Sequence, residues 1–160
     1  MTVKIGDRLP AGKFKTMGEA GPQDLTTAQL FDGKRVLLVS VPGAFTPTCN
    51  AKHLPGYIAQ ADELKKRGID TIACMAVNDV HVMNAWGKSV GAGDKVLMLA
   101  DGSGDYVRAL GLELDLTAAG MGWRGRRFAL VAKDGIVEQL NVEAPGEFKV
   151  SAADAVLCQL

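Results

Sequence analysis

Short apolar runs that alternate with helical patterns constrain this chain more than any other feature of its sequence. RVLLVSV (35–41), IDTIACMAV (69–77) and KVLMLA (95–100) have the length and β-branched content of buried strands. Between the first two, residues 48–67 read as a helix. Leu54, Ile58, Ala61 and Leu64 recur there at spacings of three and four, and KKRG supplies a basic end and a glycine stop. A second helix is predicted over 79–89, with Val82, Met83 and Trp86 on its core stripe, and a short one over 105–110 after the turn DGSG. RRFALVAKDGIVEQLNV reads as two strands from residue 126 onward, joined at Asp134-Gly135, a strong hairpin signal. A closing helix is predicted over 151–157 with Ser151 as its N-cap. The alternation demands a partly parallel sheet covered by helices, and the hairpin adds antiparallel strands. The expected fold is α/β: a mixed sheet flanked by helices in a three-layer sandwich.

At 160 residues and 16.9 kDa, one domain over 1–160 is expected. Size scaling gives it roughly 7,700 Å² of folded surface against about 24,500 Å² unfolded, enough burial for one core. Apolar residues are 48% and charged residues 22% of the chain, which excludes bulk disorder. Eighteen basic side chains balance eighteen acidic ones, so no basic excess points to nucleic acid. No apolar run reaches eighteen residues, and MTVKIGDRLP lacks a signal-peptide pattern. A cytoplasmic protein with no membrane partner is expected.

Three cysteines, Cys49, Cys74 and Cys158, are too few and too scattered for a disulfide scaffold, and no CxxC pair is present. Each is therefore either a small buried hydrophobe or a working thiol. Cys74 lies inside an apolar strand and reads as inert. Cys49 follows VPGAFTPT and opens a helix, where free backbone N–H groups and the helix dipole favour a thiolate. Pro42 ends the strand, Pro47 suits the helix start, and Thr46 can bring its hydroxyl near the sulfur. WRGRRFALV offers cations nearby, but strand alternation sends Arg126 and Arg127 to opposite faces without saying which one meets the cysteine. His53 lies one helical turn after Cys49, on the same face. No ligand spacing supports a metal among Cys49, His53 and His81.

PGAFTPTC closely resembles the active-site signature PxxxTxxC of the peroxiredoxins, with Pro42, Thr46 and Cys49 at the matching positions. HLPG, MAVND, RRFAL, DGSGDYVRALGLELDL and GEFKVSAADAVL extend the similarity along nearly the whole chain, in the manner of the type-five subfamily, called type II in plants. The resemblance implies a thioredoxin-like fold, reduction of hydrogen peroxide and organic hydroperoxides, and a homodimer. It implies no cofactor, whether metal, flavin or haem. It selects Arg127, immediately before Phe128, as the active-site arginine, and sets His53 and Phe45 beside the pocket.

The expected chemistry is attack by the Cys49 thiolate on a peroxide oxygen, leaving a sulfenic acid. Lowering a thiol pKa from about 8.5 to about 6 raises the thiolate at pH 7 roughly thirty-fold, or about 2 kcal/mol. That is too little for an efficient peroxidase, so the rest must come from aligning the peroxide and stabilising charge as its O–O bond breaks. Thr46, the Cys49 backbone N–H and Arg127 are the expected donors, with Pro42 shielding the sulfur. GEFKVSAAD contains no cysteine where some relatives of this type carry a resolving one. An external thiol, glutathione with glutaredoxin or thioredoxin, is therefore expected to regenerate Cys49, with a bridge to Cys74 as the competing outcome. The rival reading is a non-catalytic redox sensor on the same fold.

Overall fold

The computed structural model describes residues 2–160. The chain opens with a hairpin, β1 (Lys13–Gly18) and β2 (Gly21–Thr26), then a short helix α1 (Thr27–Phe31). The apolar runs form β3 (Arg35–Ser40), β4 (Thr71–Ala76) and β5 (Leu97–Ala100). Between β3 and β4 lie α2 (Leu54–Ala59) and α3 (Ala61–Lys66), and α4 (Val80–Val90) joins β4 to β5. Then follow α5 (Asp105–Leu110), a small separate hairpin of β6 (Glu113–Leu116) and β7 (Gly122–Gly125), and the long pair β8 (Phe128–Lys133) and β9 (Ile136–Val142). The final helix is α6 (Ala153–Leu157).

The main sheet has seven strands in the order β2-β1-β5-β4-β3-β8-β9. β3, β4 and β5 are parallel, as the helical crossovers require, and β1, β8 and β9 pair antiparallel to their neighbours. This is the expected mixed sheet. At the β8–β9 turn, Asp134 and Gly135 both have positive φ (50° and 78°), the backbone that an Asp-Gly two-residue hairpin turn requires.

Side-chain alternation divides the core. Leu37, Val39, Ile72, Cys74, Ala129 and Val131 point to one face, covered by α2, α3, α4 and α6 through Leu54, Tyr57, Leu64, Met83, Trp86 and Val156. Val36, Leu38, Ala73, Met75, Phe128 and Leu130 point to the other, covered by α1 and α5 through Phe31, Tyr106 and Leu110. Truncating any of the fully buried leucines to alanine costs about 2–5 kcal/mol. Val82, expected in the core stripe of α4, is only half-buried, because Met83 and Trp86 already take the inward positions.

The predicted helix over 48–67 is not continuous. A wide π turn runs Cys49–His53, closed by the Leu54 N–H donating to the Cys49 carbonyl, and the chain breaks again at Gln60. Pro55 explains the widening: it has no N–H to give and its ring crowds the carbonyl four residues back. Ser151 does not cap α6. Ala152 holds that position without a side-chain bond, and Ser151 is fully buried one residue earlier. Arg126 and Arg127 precede β8, which begins at Phe128.

Candidate active site

β3 ends under the segment 42–48, which turns sharply into the π turn. Phe45 has φ 64°, a left-handed backbone unusual for a residue with a side chain, and Gly43 is held close. A Cβ on Gly43 would lie 3.1 Å from Thr46 Cγ2 and 3.3 Å from the Arg124 guanidinium. The Ala44 N–H donates to Asn78 Oδ1 at 2.9 Å, tying this segment to the MAVND loop after β4. Trp86 Nε1 donates to Asn50 Oδ1 at 2.9 Å, fixing the π turn to α4. Pro47 and Thr48 are helical, so Cys49 stands in the first turn, where backbone N–H groups lack intrahelical acceptors.

Cys49 has no exposed surface. Arg127 Nη2 donates to its sulfur at 3.1 Å, and Arg127 Nη1 donates to His53 Nδ1 at 2.8 Å. Arg127 follows the parity of Ala129 and Val131, the face that carries Cys49. Arg126 goes elsewhere: its Nη2 donates to the Glu143 carbonyl at 3.0 Å. Of the two adjacent arginines, Arg127 is the one that meets the cysteine.

His53 is buried, and its Nε2 lies 3.0 Å from the Ser151 carbonyl, which can only accept. The proton is therefore on Nε2 and the Nδ1 lone pair faces Arg127. Burial, and then the Arg127 charge, push the His53 pKa down to about 4, so the ring is neutral at pH 7. The Tyr57 hydroxyl donates to the same carbonyl. Phe148 meets the His53 ring edge-on, centroids 4.9 Å apart, and lies 5.8 Å from the Arg127 guanidinium carbon.

The Thr46 hydroxyl donates to the Gly43 carbonyl at 2.7 Å. Its one proton is thereby committed, so what it offers a substrate is a lone pair rather than the expected donor. A depression of about 160 Å³ opens at Arg127, lined by Pro42, Thr48, Leu114, Arg126, Arg127 and the segment 143–147, with Cys49 beneath it and outside its lining. Phe45 is half exposed and lies against Trp86, ring centroids 6.3 Å apart.

Cys74 is fully buried in β4, on the sheet face that carries Cys49. Burial, and then the nearby Cys49 sulfur, push its thiol well above the usual range. Cys158 is exposed after α6, and all three thiols are free. Among the described residues no cluster of His, Cys, Asp and Glu is suited to a metal ion, and no helix is long and apolar enough to cross a membrane. Asn50, Asn78, Glu143 and Ser151 belong to the site but escaped sequence reasoning. Of these, Asn78 in MAVND and Ser151 in GEFKVSAADAVL stood in segments already singled out.

The model of the Redoxin family matches residues 4–157. Peroxiredoxin-2B of Arabidopsis thaliana is 49% identical over 156 residues, covering 97% of this chain and 96% of that protein. The chloroplastic peroxiredoxin-2E-2 of Oryza sativa subsp. japonica is 48% identical over 161 residues, covering 98% of this chain and 72% of that one. Among solved structures, reduced Prx3 of Vibrio vulnificus in complex with H2O2 superposes with TM-score 0.95 at 46% identity, covering 99% of each chain. Peroxiredoxin 5 of Alvinella pompejana gives 0.86 at 36%, covering 98% of this chain and 96% of its own. The chain belongs to the redoxin family, and within it to the peroxiredoxins. Its fold is thioredoxin-like and it is an enzyme, a thiol-dependent peroxidase.

Proposed function

We propose that Cys49 is the nucleophile of this peroxidase and that the chain works as a single domain. The Cys49 thiolate attacks one oxygen of ROOH, the O–O bond breaks, and RO⁻ leaves and takes a proton to become the alcohol or water. Cys49 is left as a sulfenic acid, two electrons more oxidised. Arg127 donates to the sulfur before attack and to the peroxide oxygens as charge moves onto them, while Thr46 accepts the hydrogen bond of the bound peroxide. Pro42 walls the pocket against bulk water. The observation that carries this reading is the 3.1 Å contact between Arg127 Nη2 and a wholly buried Cys49 sulfur.

Return to the thiol is assigned to an external donor, either glutathione with glutaredoxin or thioredoxin, within a reducing compartment such as the cytoplasm. The absence of cysteine from 143–157 and the burial of Cys74 support it. A homodimer is proposed through the face that carries the 42–48 segment and β7. Phe45 and Trp123, two of the large apolar side chains exposed by the chain, lie on these elements.

The test is peroxide consumption with each donor system supplied in turn. Sustained turnover with one of them, lost in Cys49→Ser, is the expected result. A single stoichiometric oxidation with no donor giving turnover would favour the sensor reading.

A further inference from the structure

Glu143 is a carboxylate that the reaction does not use, yet it is only 3% exposed. It lies just after β9, directly across from Arg127: its backbone N–H donates to the Arg127 carbonyl at 3.0 Å. One oxygen, Oε2, accepts three hydrogen bonds from the returning chain. They come from the Lys149 N–H at 2.7 Å, the Ser151 N–H at 2.9 Å and the Ser151 hydroxyl at 2.6 Å. A buried carboxylate costs several kcal/mol unless such partners compensate. Burial opposes the charge here, but the bonds from Ser151 and Lys149 outweigh it and hold the Glu143 pKa below the usual range.

The same residue, Ser151, presents its carbonyl to His53 Nε2. That contact fixes the tautomer, and the tautomer decides whether Nδ1 can accept from Arg127. Phe148, from the loop that the carboxylate closes, covers both His53 and Arg127. Residues 143–152 contain no helix or strand, so side chains hold the loop: besides Glu143, Asn141 Nδ2 donates to the Val150 carbonyl at 3.0 Å and the Tyr57 hydroxyl donates to the Ser151 carbonyl.

We propose that Glu143 is a positioning residue of the peroxidase, acting through Ser151 and His53 to hold the Arg127 guanidinium on the Cys49 sulfur. The proposal rests on the assignment of Cys49 and Arg127 made above. The charged and titratable groups facing His53 are Arg127 from the start of β8, Glu143 from the end of β9, Tyr57 from α2 and Cys49 from its own turn. None of these substitutes for the Ser151 carbonyl as acceptor for the Nε2 proton.

The experiment compares two reactions of the same thiol in the intact protein: oxidation by hydrogen peroxide and alkylation by iodoacetamide. Only the first needs the guanidinium aligned with a breaking O–O bond, so loss of folded enzyme lowers both equally and loss of alignment lowers their ratio. Glu143→Ala is expected to lower the peroxide-to-alkylation ratio roughly ten-fold or more, the scale of a small misplacement of a catalytic group. Glu143→Gln keeps an acceptor oxygen for Ser151 and is expected to recover most of that loss. Should Glu143→Ala fail to fold, Ser151→Ala, which keeps the carbonyl but removes one tether, is expected to lower the ratio a few-fold. Nitrogen NMR of the His53 ring supplies a second readout: a pure Nε2–H tautomer in the parent and a mixture in Glu143→Ala. An unchanged ratio with an unchanged His53 tautomer overturns the proposal. Arg127→Ala separates the two levels of failure. If it leaves the ratio intact, the arginine assignment fails; if it lowers the ratio while Glu143→Ala does not, only the role of Glu143 fails.

Discussion

Cys49 and Cys74 share one layer of the molecule and one degree of burial, yet their surroundings assign them opposite chemistry. Both have no exposed surface, and both belong to the core between the sheet and α2–α4. Cys74 sits mid-strand beside Val39, where burial and the neighbouring sulfur disfavour ionisation. Cys49 sits in the first turn of a helix with a guanidinium 3.1 Å away, and that arginine also lines a small depression. On the proposed assignment of Cys49 as nucleophile, burial is not what separates a working thiol from a packing one. A fixed cation and free N–H groups make the difference.

The contrast breaks most sharply at the nucleophile. Cys49→Ser should lower peroxide reduction on the order of 10³-fold or more, since a serine hydroxyl remains protonated at neutral pH. Stopped-flow or steady-state peroxide consumption checks this, with the fold verified by circular dichroism. Next in size is the arginine pair. Arg127→Ala should cost roughly 10²-fold in peroxide reduction, the scale of losing one charge-stabilising donor. Arg126→Ala, which loses only a bond to a carbonyl at the pocket mouth, should stay within about two-fold. Equal effects would mean that strand parity does not govern the site.

A pH dependence sharpens the comparison further. The pKa of His53 is depressed to about 4 by burial and by Arg127, against an unfolded value of 6.5. The unfolded chain therefore binds more protons between these values, and the stability due to a neutral His53 is complete above pH 6.5 and lost as pH falls towards 4. The loss amounts to about 3 kcal/mol for this group, and protonation also removes the acceptor for Arg127. Denaturant midpoints measured from pH 7 to pH 4 should fall for the parent and fall less for His53→Gln. The smallest effects belong to the other thiols. Cys74→Ser should retain turnover within about two-fold with an external donor while losing about 1–3 kcal/mol for its buried hydroxyl. Cys158→Ser should change neither.

Much of this arrangement was readable from residue order. β3, β4 and β8 announce themselves as apolar runs, and Asp134-Gly135 names its own turn. Cys49 and Arg127 follow from a helix start and from alternation joined to a family resemblance. The edge strand β2 was missed because GPQDLT is polar and exposed, leaving no apolar alternation to detect. The start of α1 did carry a signal, a Thr26–Gln29 capping box. The π turn follows from Pro55 set against the carbonyl of Ala51, four residues earlier, a local pairing that the three-and-four spacing of apolar residues does not record. Ser151 looked like an N-cap by type, but the carboxylate of Glu143 claims its hydroxyl. That competition is between residues eight apart on an irregular loop, and no periodicity records it. Residue order likewise does not record that the Thr46 hydroxyl donates to the Gly43 carbonyl.

The central claim is that one buried thiol, Cys49, meets the peroxide while an equally buried neighbour does not. Peptide mapping by mass spectrometry after one equivalent of hydrogen peroxide, with no reductant present and sulfenic acid trapped by a dimedone-type reagent, tests it most directly. The account predicts the trapped sulfenic acid on the peptide containing Cys49, with Cys74 and Cys158 recovered as thiols. Dominant oxidation at Cys74 or Cys158, or an intrachain Cys49–Cys74 bridge as the main product, would contradict it.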